Sequence, residues 1–125
     1  MDYSPIKDNN FDIENLIKSL DKDVEIPPHK GNQVNTMNWF VKFPKQNKID
    51  LEAVARMCQN LKINFKYQPD KYLNLTIYTQ NPFSKVMIFK NAIMISKIIP
   101  TQELSSESIL KIYQTIYNYF IKSQM

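Results

Sequence analysis

The sequence predicts an α+β domain: a curved, five-stranded antiparallel sheet with two helices on its convex face, preceded by an acidic arm over residues 1–32. Three observations carry that prediction. The stretch from Asn64 to Lys97 reads strand, turn, strand, turn, strand without a break, as an antiparallel meander does. Two segments, Asp50–Asn60 and Ser105–Phe120, place apolar residues at helical spacing. Charge also divides the chain. Residues 1–32 hold four lysines against seven carboxylates, a net of −3, while residues 33–125 hold twelve basic and five acidic residues, a net of +7.

At 125 residues the chain has the length of one domain with one core. No apolar run reaches the roughly 20 residues of a membrane span. The opening MDYSPIKDNN has neither a signal nor a transit pattern, so an intracellular protein with no membrane partner is expected. Cys58 has no second cysteine to pair with, and His29 lies far off in a Pro-rich segment, which excludes a Cys/His metal cage. Cys58 reads as a small core residue on a helix. With Gly31 as the single glycine there is no glycine-rich phosphate cradle. No Ser-His-Asp, Cys-His or paired-carboxylate set can be assembled either, so neither catalysis nor a cofactor is expected. A basic body suits a polyanionic partner. Sixteen basic residues of which Arg56 alone is arginine, with abundant Asn and Ile, are equally what an AT-rich genome writes.

In chain order, Phe11 to Leu20 is a short amphipathic helix candidate: Asn10 can cap it, and Phe11, Ile13, Leu16, Ile17 and Leu20 form its stripe. Pro27-Pro28 separates it from the rest of the chain. That helix either packs on the domain or serves as an acidic arm that docks a partner or shields a basic face. A strand comes next, with Trp39, Val41 and Phe43 turned to the core and Asn38, Phe40 and Lys42 on the other face. The alternative register, centred on Asn35, buries Asn38 and Lys42, which is costly without partners. Asp50 is an N-cap for the helix whose core side is Leu51, Val54, Ala55, Cys58 and Leu61. Leu61 to Lys66 is an extra strand or loop.

In the meander, Tyr72–Thr79 and Lys85–Phe89 flank the turn Gln80-Asn81-Pro82, and Ile93–Ile99 comes after the reversal at Lys90-Asn91-Ala92. A period of two assigns Leu73, Leu75, Ile77, Val86, Ile88 and Met94 to the core face. It assigns Tyr72, Asn74, Thr76, Tyr78, Met87, Phe89, Ile93, Ile95 and Lys97 to the other. Pro100 ends the sheet, and Ser105 or Ser106 starts a covering helix through Ile109, Ile112, Tyr113, Ile116 and Phe120. One face is thus sealed and the other left bare. A bare face that mixes rings and aliphatics with amides, hydroxyls and a lysine meets another protein, or a nucleic acid read by apolar contact.

The same residues resemble one lobe of the TATA-binding protein family. Tyr67, Pro69 and Tyr72 match its Y-x-P-x-x-F entry, Pro82 its turn proline and Ile88-Phe89 its I-F strand end. Asn38 to Pro44, Ile49-Asp50-Leu51 and Ser105 to Phe120 extend the likeness over about Asn35 to Phe120. The resemblance implies a sheet laid on the minor groove of AT-rich duplex DNA, with Tyr72 and Phe89 as the ring pair that wedges a base step. It further implies Asn38 as the groove asparagine, and Phe40, Thr76, Tyr78, Met87, Ile93, Ile95 and Lys97 as floor. A second lobe, by homo- or heterodimerisation through the strand at Asn38, is implied as well. So are general transcription factors or RNA polymerase subunits as partners, in transcription initiation within a nucleus or a viral replication compartment. Departures stand beside the likeness: S-G-K becomes Asn91-Ala92-Ile93, T-G becomes Lys97-Ile98, and a phosphate-side arginine becomes Tyr78. The alternative keeps the lobe but uses its face or helices to bind a protein in a transcription or replication complex, without touching DNA.

Overall fold

In a computed structural model the described residues are 10–19, 31–33, 38–42, 48–99 and 101–124. They form a mixed α+β fold in which one sheet packs three helices against one of its faces. The elements are β1 (Phe11–Asp12), α1 (Ile13–Ser19), β2 (Gly31–Gln33), β3 (Asn38–Lys42), α2 (Leu51–Leu61), β4 (Phe65–Tyr67), β5 (Leu75–Gln80), β6 (Ser84–Ile88), β7 (Ala92–Ser96) and α3 (Ser106–Ile116). Beyond α3 the coil widens to a π-turn at Tyr117–Ile121 and tightens to a 3₁₀ turn at Lys122–Gln124.

The sheet has seven strands and is six strands wide, not five, in the order β1-β5-β6-β7-β3-β2, with β4 on the same edge of β5 as β1. Three strands are short, and two of them, β1 and β2, make the difference from five. β2 lies antiparallel along the outer edge of β3, from Gly31↔Val41 to Gln33↔Trp39. β4 is the extra strand of the Leu61–Lys66 connection and pairs Phe65↔Ile77. β1 runs parallel to the end of β5, Phe11↔Thr79, so the sheet is not purely antiparallel.

Helix α2 forms where predicted, and its ends have clear causes. Asp50 Oδ1 accepts the amides of Glu52 at 3.0 Å and Ala53 at 3.4 Å, two donors that the first turn leaves orphaned. At the other end Lys62 is left-handed (φ 55°, ψ 42°) and returns its amide to Cys58 and Gln59 carbonyls. Ser105 caps α3 by accepting the Ser108 amide at 3.1 Å. The Gln124 side chain accepts from the Asp50 amide at 2.6 Å and donates to the Asp50 carbonyl at 3.3 Å, tying the chain's far end to the start of α2.

Helix α1 begins at Ile13, later than its spacing predicts, because Phe11 is spent on β1 and Asp12 becomes the capping residue, its Oδ1 accepting the Asn15 amide at 3.1 Å. Phe11 and Ile13 are in the core, and Phe11 meets Tyr119 edge-on at 5.5 Å and Phe120 at 5.3 Å. Residues 20–30, with Pro27-Pro28 and His29, lie outside the described residues, as do Asn35 and Phe43. The core joins these side chains to Val41, Leu75, Ile77, Val86, Ile88, Ile93 and Ile95 of the sheet and to Val54, Cys58, Ile112, Ile116 and Phe120 of the helices.

Two expectations for the meander are corrected. β5 starts at Leu75, not Tyr72, because the amides of Lys71 and Tyr72 both turn back to the Gln68 carbonyl, at 3.0 and 2.9 Å. Leu73 therefore stands in the connecting loop at 85% exposure instead of in the core. β7 starts at Ala92, with Phe89 donating its amide to the Ala92 carbonyl at 2.8 Å, so Ile88 pairs with Ile93 and Val86 with Ile95. Directly paired residues share a face, and a one-residue difference in register exchanges the two faces. Ile93 and Ile95 are consequently buried, Met94 turns outward, and Ile98 and Ile99 lie beyond the strand, exposed.

Candidate nucleic-acid interface

The strand register builds the uncovered face as two rows of side chains across the sheet. One row runs Lys66, Thr76, Met87, Met94, Phe40, from β4 to β3. The next runs Tyr78, Lys85, Ser96, Asn38. Lys42 stands beyond them, opposite Ala92. Strands are about 4.8 Å apart and alternate residues about 6.7 Å apart, so the first row is roughly 19 Å long and the second lies one side-chain width from it. The first row is a thioether and ring stripe with an ammonium at one end; the second is polar, with Ser96 Oγ donating to Asn38 Oδ1.

No carboxylate occurs at the paired outward positions of β3 to β7, where Lys42, Lys66 and Lys85 are the charged residues. The nearest acid by register is Asp12, opposite Gln80 at the corner. It is engaged, taking the Asn15 amide and side-chain donors from Asn81 at 3.2 Å and Gln80 at 3.4 Å. The Asn15 amide is the largest of the influences that hold its carboxyl below the usual range. Among the described residues the face therefore carries three lysines and, apart from Asp12 at its corner, no acid.

A cleft of about 270 Å³ opens along β5 on this face, with Tyr72, Thr76 and Tyr78 in its lining beside Lys66, Lys85 and Met87. Lys66 holds its ammonium 5.2 Å from the centre of the Tyr72 ring, a cation–π contact that steadies an otherwise exposed side chain. A second cleft, about 430 Å³, lies at the end of the sheet and brings Tyr72 and Phe89 together with Leu51, Tyr67, Lys48 and Lys90.

Of the residues expected on the face, Asn38, Phe40, Thr76, Tyr78 and Met87 are there, in the two rows. Tyr72 and Phe89 meet at the sheet's end: Tyr72 borders both clefts, and the half-buried Phe89 borders only the second. Ile93 and Ile95 are not on it; the Ile88↔Ile93 register turns both into the core. Lys97 is past the end of β7 and lies with Trp39, Glu103 and Leu104 near the start of α3, on the helical side. Lys66, Lys85, Met94 and Ser96 take their places. Lys85 was readable from the period of two that assigns Met87. Met94 and Ser96 depended on how many residues the Phe89–Ala92 reversal consumes, and Lys66 on the pairing of a three-residue strand.

Among the described residues no three His, Cys, Asp or Glu side chains gather as metal ligands would, and no helix is long and apolar enough to cross a membrane. A scan against protein-family models finds no match for the chain, and a search of curated protein sequences finds none. The likeness to a TATA-binding-protein lobe rests on the residues quoted for it.

Proposed function

We propose that this protein is a single-lobe, TATA-binding-protein-like factor that lays its uncovered sheet face on the minor groove of AT-rich duplex DNA. The observation that carries the reading is the pair of rows: rings and thioethers that can meet sugars and base edges, amides and hydroxyls that can hydrogen-bond them, and three lysines with no carboxylate between them. Lys66 and Lys85 restore cationic contacts that the sequence lacks at the family's own positions. The wedge falls to Tyr72 and Phe89, which share one cleft at the sheet's end. One lobe grips half of a family-sized site, so a second, from another copy or a different chain, completes it; because β2 occupies the outer edge of β3, that seam passes over β2 and not directly along Asn38.

The test is a salt-dependent titration with AT-rich and GC-rich duplexes. Three phosphate contacts predict a slope of log K against log salt of about −2.7, with tighter binding to the AT-rich duplex. No binding to either at low salt would refute the reading. The second reading, a protein-interaction module of a transcription or replication complex, is favoured by one feature: Leu73 and Tyr72 stand out beside the sheet-end cleft, 85% and 51% exposed.

A further inference from the structure

We infer that the cleft along β5 holds one nucleotide that has left the base stack, so that the face prefers a duplex with an unpaired nucleotide to a fully paired one. This rests on the proposed nucleic-acid function and names the feature of DNA that the site takes. The cleft runs along the chain from Tyr72 to Tyr78, with Thr76, nearly buried, as floor. Register sets its walls: Lys66 lies opposite Thr76 on one side, Met87 opposite Thr76 and Lys85 opposite Tyr78 on the other. Two ammonium groups therefore stand on strands about 10 Å apart, flanking the cleft. That arrangement suits a nucleotide whose neighbouring phosphates lie on both sides of it.

The other lining groups suit a base. Tyr78 and Met87 offer a ring face and a polarisable thioether, and Tyr72 a second ring, already oriented by Lys66. Asn74 gives one amide hydrogen to the Thr76 hydroxyl at 3.1 Å, which leaves its oxygen and its second hydrogen for the edge of a base. Gln68 adds another amide. At about 270 Å³ the cleft falls just below the range that takes drug-sized ligands, room for one nucleotide and too little for a base pair. An acidic peptide would use the lysines but leave two ring faces and the amides without a purpose. The cleft also borders Tyr72, one member of the proposed ring pair.

The experiment compares, by fluorescence anisotropy, an AT-rich duplex with the same duplex carrying one unpaired nucleotide, and repeats it with 2-aminopurine as the unpaired base. Because unpairing is already done in the second duplex, it should bind about tenfold tighter or more. Stacking on tyrosine should also quench the 2-aminopurine. Tyr78→Ala should make the two duplexes bind alike and abolish the quench. Tyr72→Ala, which alters an exposed loop ring and spares the core, should weaken the preference in the same sense. Equal affinity of the unaltered protein for paired and unpaired duplexes would overturn the inference while leaving the proposed function standing. Failure to bind either duplex would overturn both. Displacement of the unpaired duplex by polyglutamate at equal charge would assign the cleft to an acidic peptide, and so overturn it as well.

Discussion

At the scale of single residues, the most informative group is Tyr113, whose ring is buried in the core and meets Tyr117 edge-on at 6.2 Å. Burial, and then the neighbouring Tyr117 oxygen, raise its hydroxyl from 10.0 to about 12. Burial likewise pushes the Cys58 thiol up. In both cases the unfolded chain gives up its proton first. The stability these groups contribute is complete below their unfolded values and is lost as pH rises toward the folded ones. The fold should therefore weaken as pH climbs past about 9, where a free thiol ionises, and more steeply from 10 to 12. Thermal melts across that range, followed by circular dichroism, check this; Tyr113→Phe should flatten the steep part.

At the scale of elements, the β6–β7 reversal decides which half of β7 the solvent sees. Ile88↔Ile93 pairing places Ile93 and Ile95 among the helices and Met94 between Met87 and Phe40 on the open face. Ile93→Ala should accordingly cost about 2 to 5 kcal/mol in denaturant unfolding, as a buried large-to-small change does. On the proposed reading, its DNA affinity per folded molecule should be unaltered. Met94→Ala should show the reverse, a small loss of stability with weaker binding. A stable Ile93→Ala protein that no longer binds DNA would mean that the strand is registered one residue differently. The alternation itself was plain in the sequence. The length of the turn was not, since Lys90-Asn91-Ala92 reads as a reversal whether it consumes three residues or four.

At the scale of the whole molecule, residues 10–19 pack on the same core as the sheet and helices. Phe11 is 1% exposed and packs on Phe120, while β1 caps the end of β5 beside β4, and the Tyr119 hydroxyl reaches the Leu16 carbonyl at 3.5 Å. Phe11→Ala should cost about 3 to 5 kcal/mol, read as a fall in denaturant midpoint with the unfolding still cooperative. A change within the error of measurement would show that residues 10–19 lie on the core without contributing to it. Its apolar stripe was legible in the sequence, but its charge count left open whether it packs on the domain or docks a partner; Phe11, Ile13 and Leu16 are the residues that join it to the core.

The sequence by itself determined what depends on near neighbours. It specified α2 with its Asp50 cap, α3 with its Ser105 cap, the β5–β6 hairpin, an inward set of Leu75, Ile77, Val86 and Ile88, and one face of the sheet that the described helices leave uncovered. Those arise from capping chemistry and from periods of 3.6 and 2, which a dozen residues suffice to express. Only the tertiary structure decided the width of the sheet, the parallel pairing of β1, the face of β7 and the removal of Ile93, Ile95 and Lys97 from the outward face of the sheet, where Lys66, Lys85 and Met94 stand instead. The reason is physical: strands of two or three residues have too few side chains to show a period. Their partners, Thr79 for Phe11 and Thr76 for Lys66, are found by packing and backbone hydrogen bonding between distant segments, which no local pattern encodes.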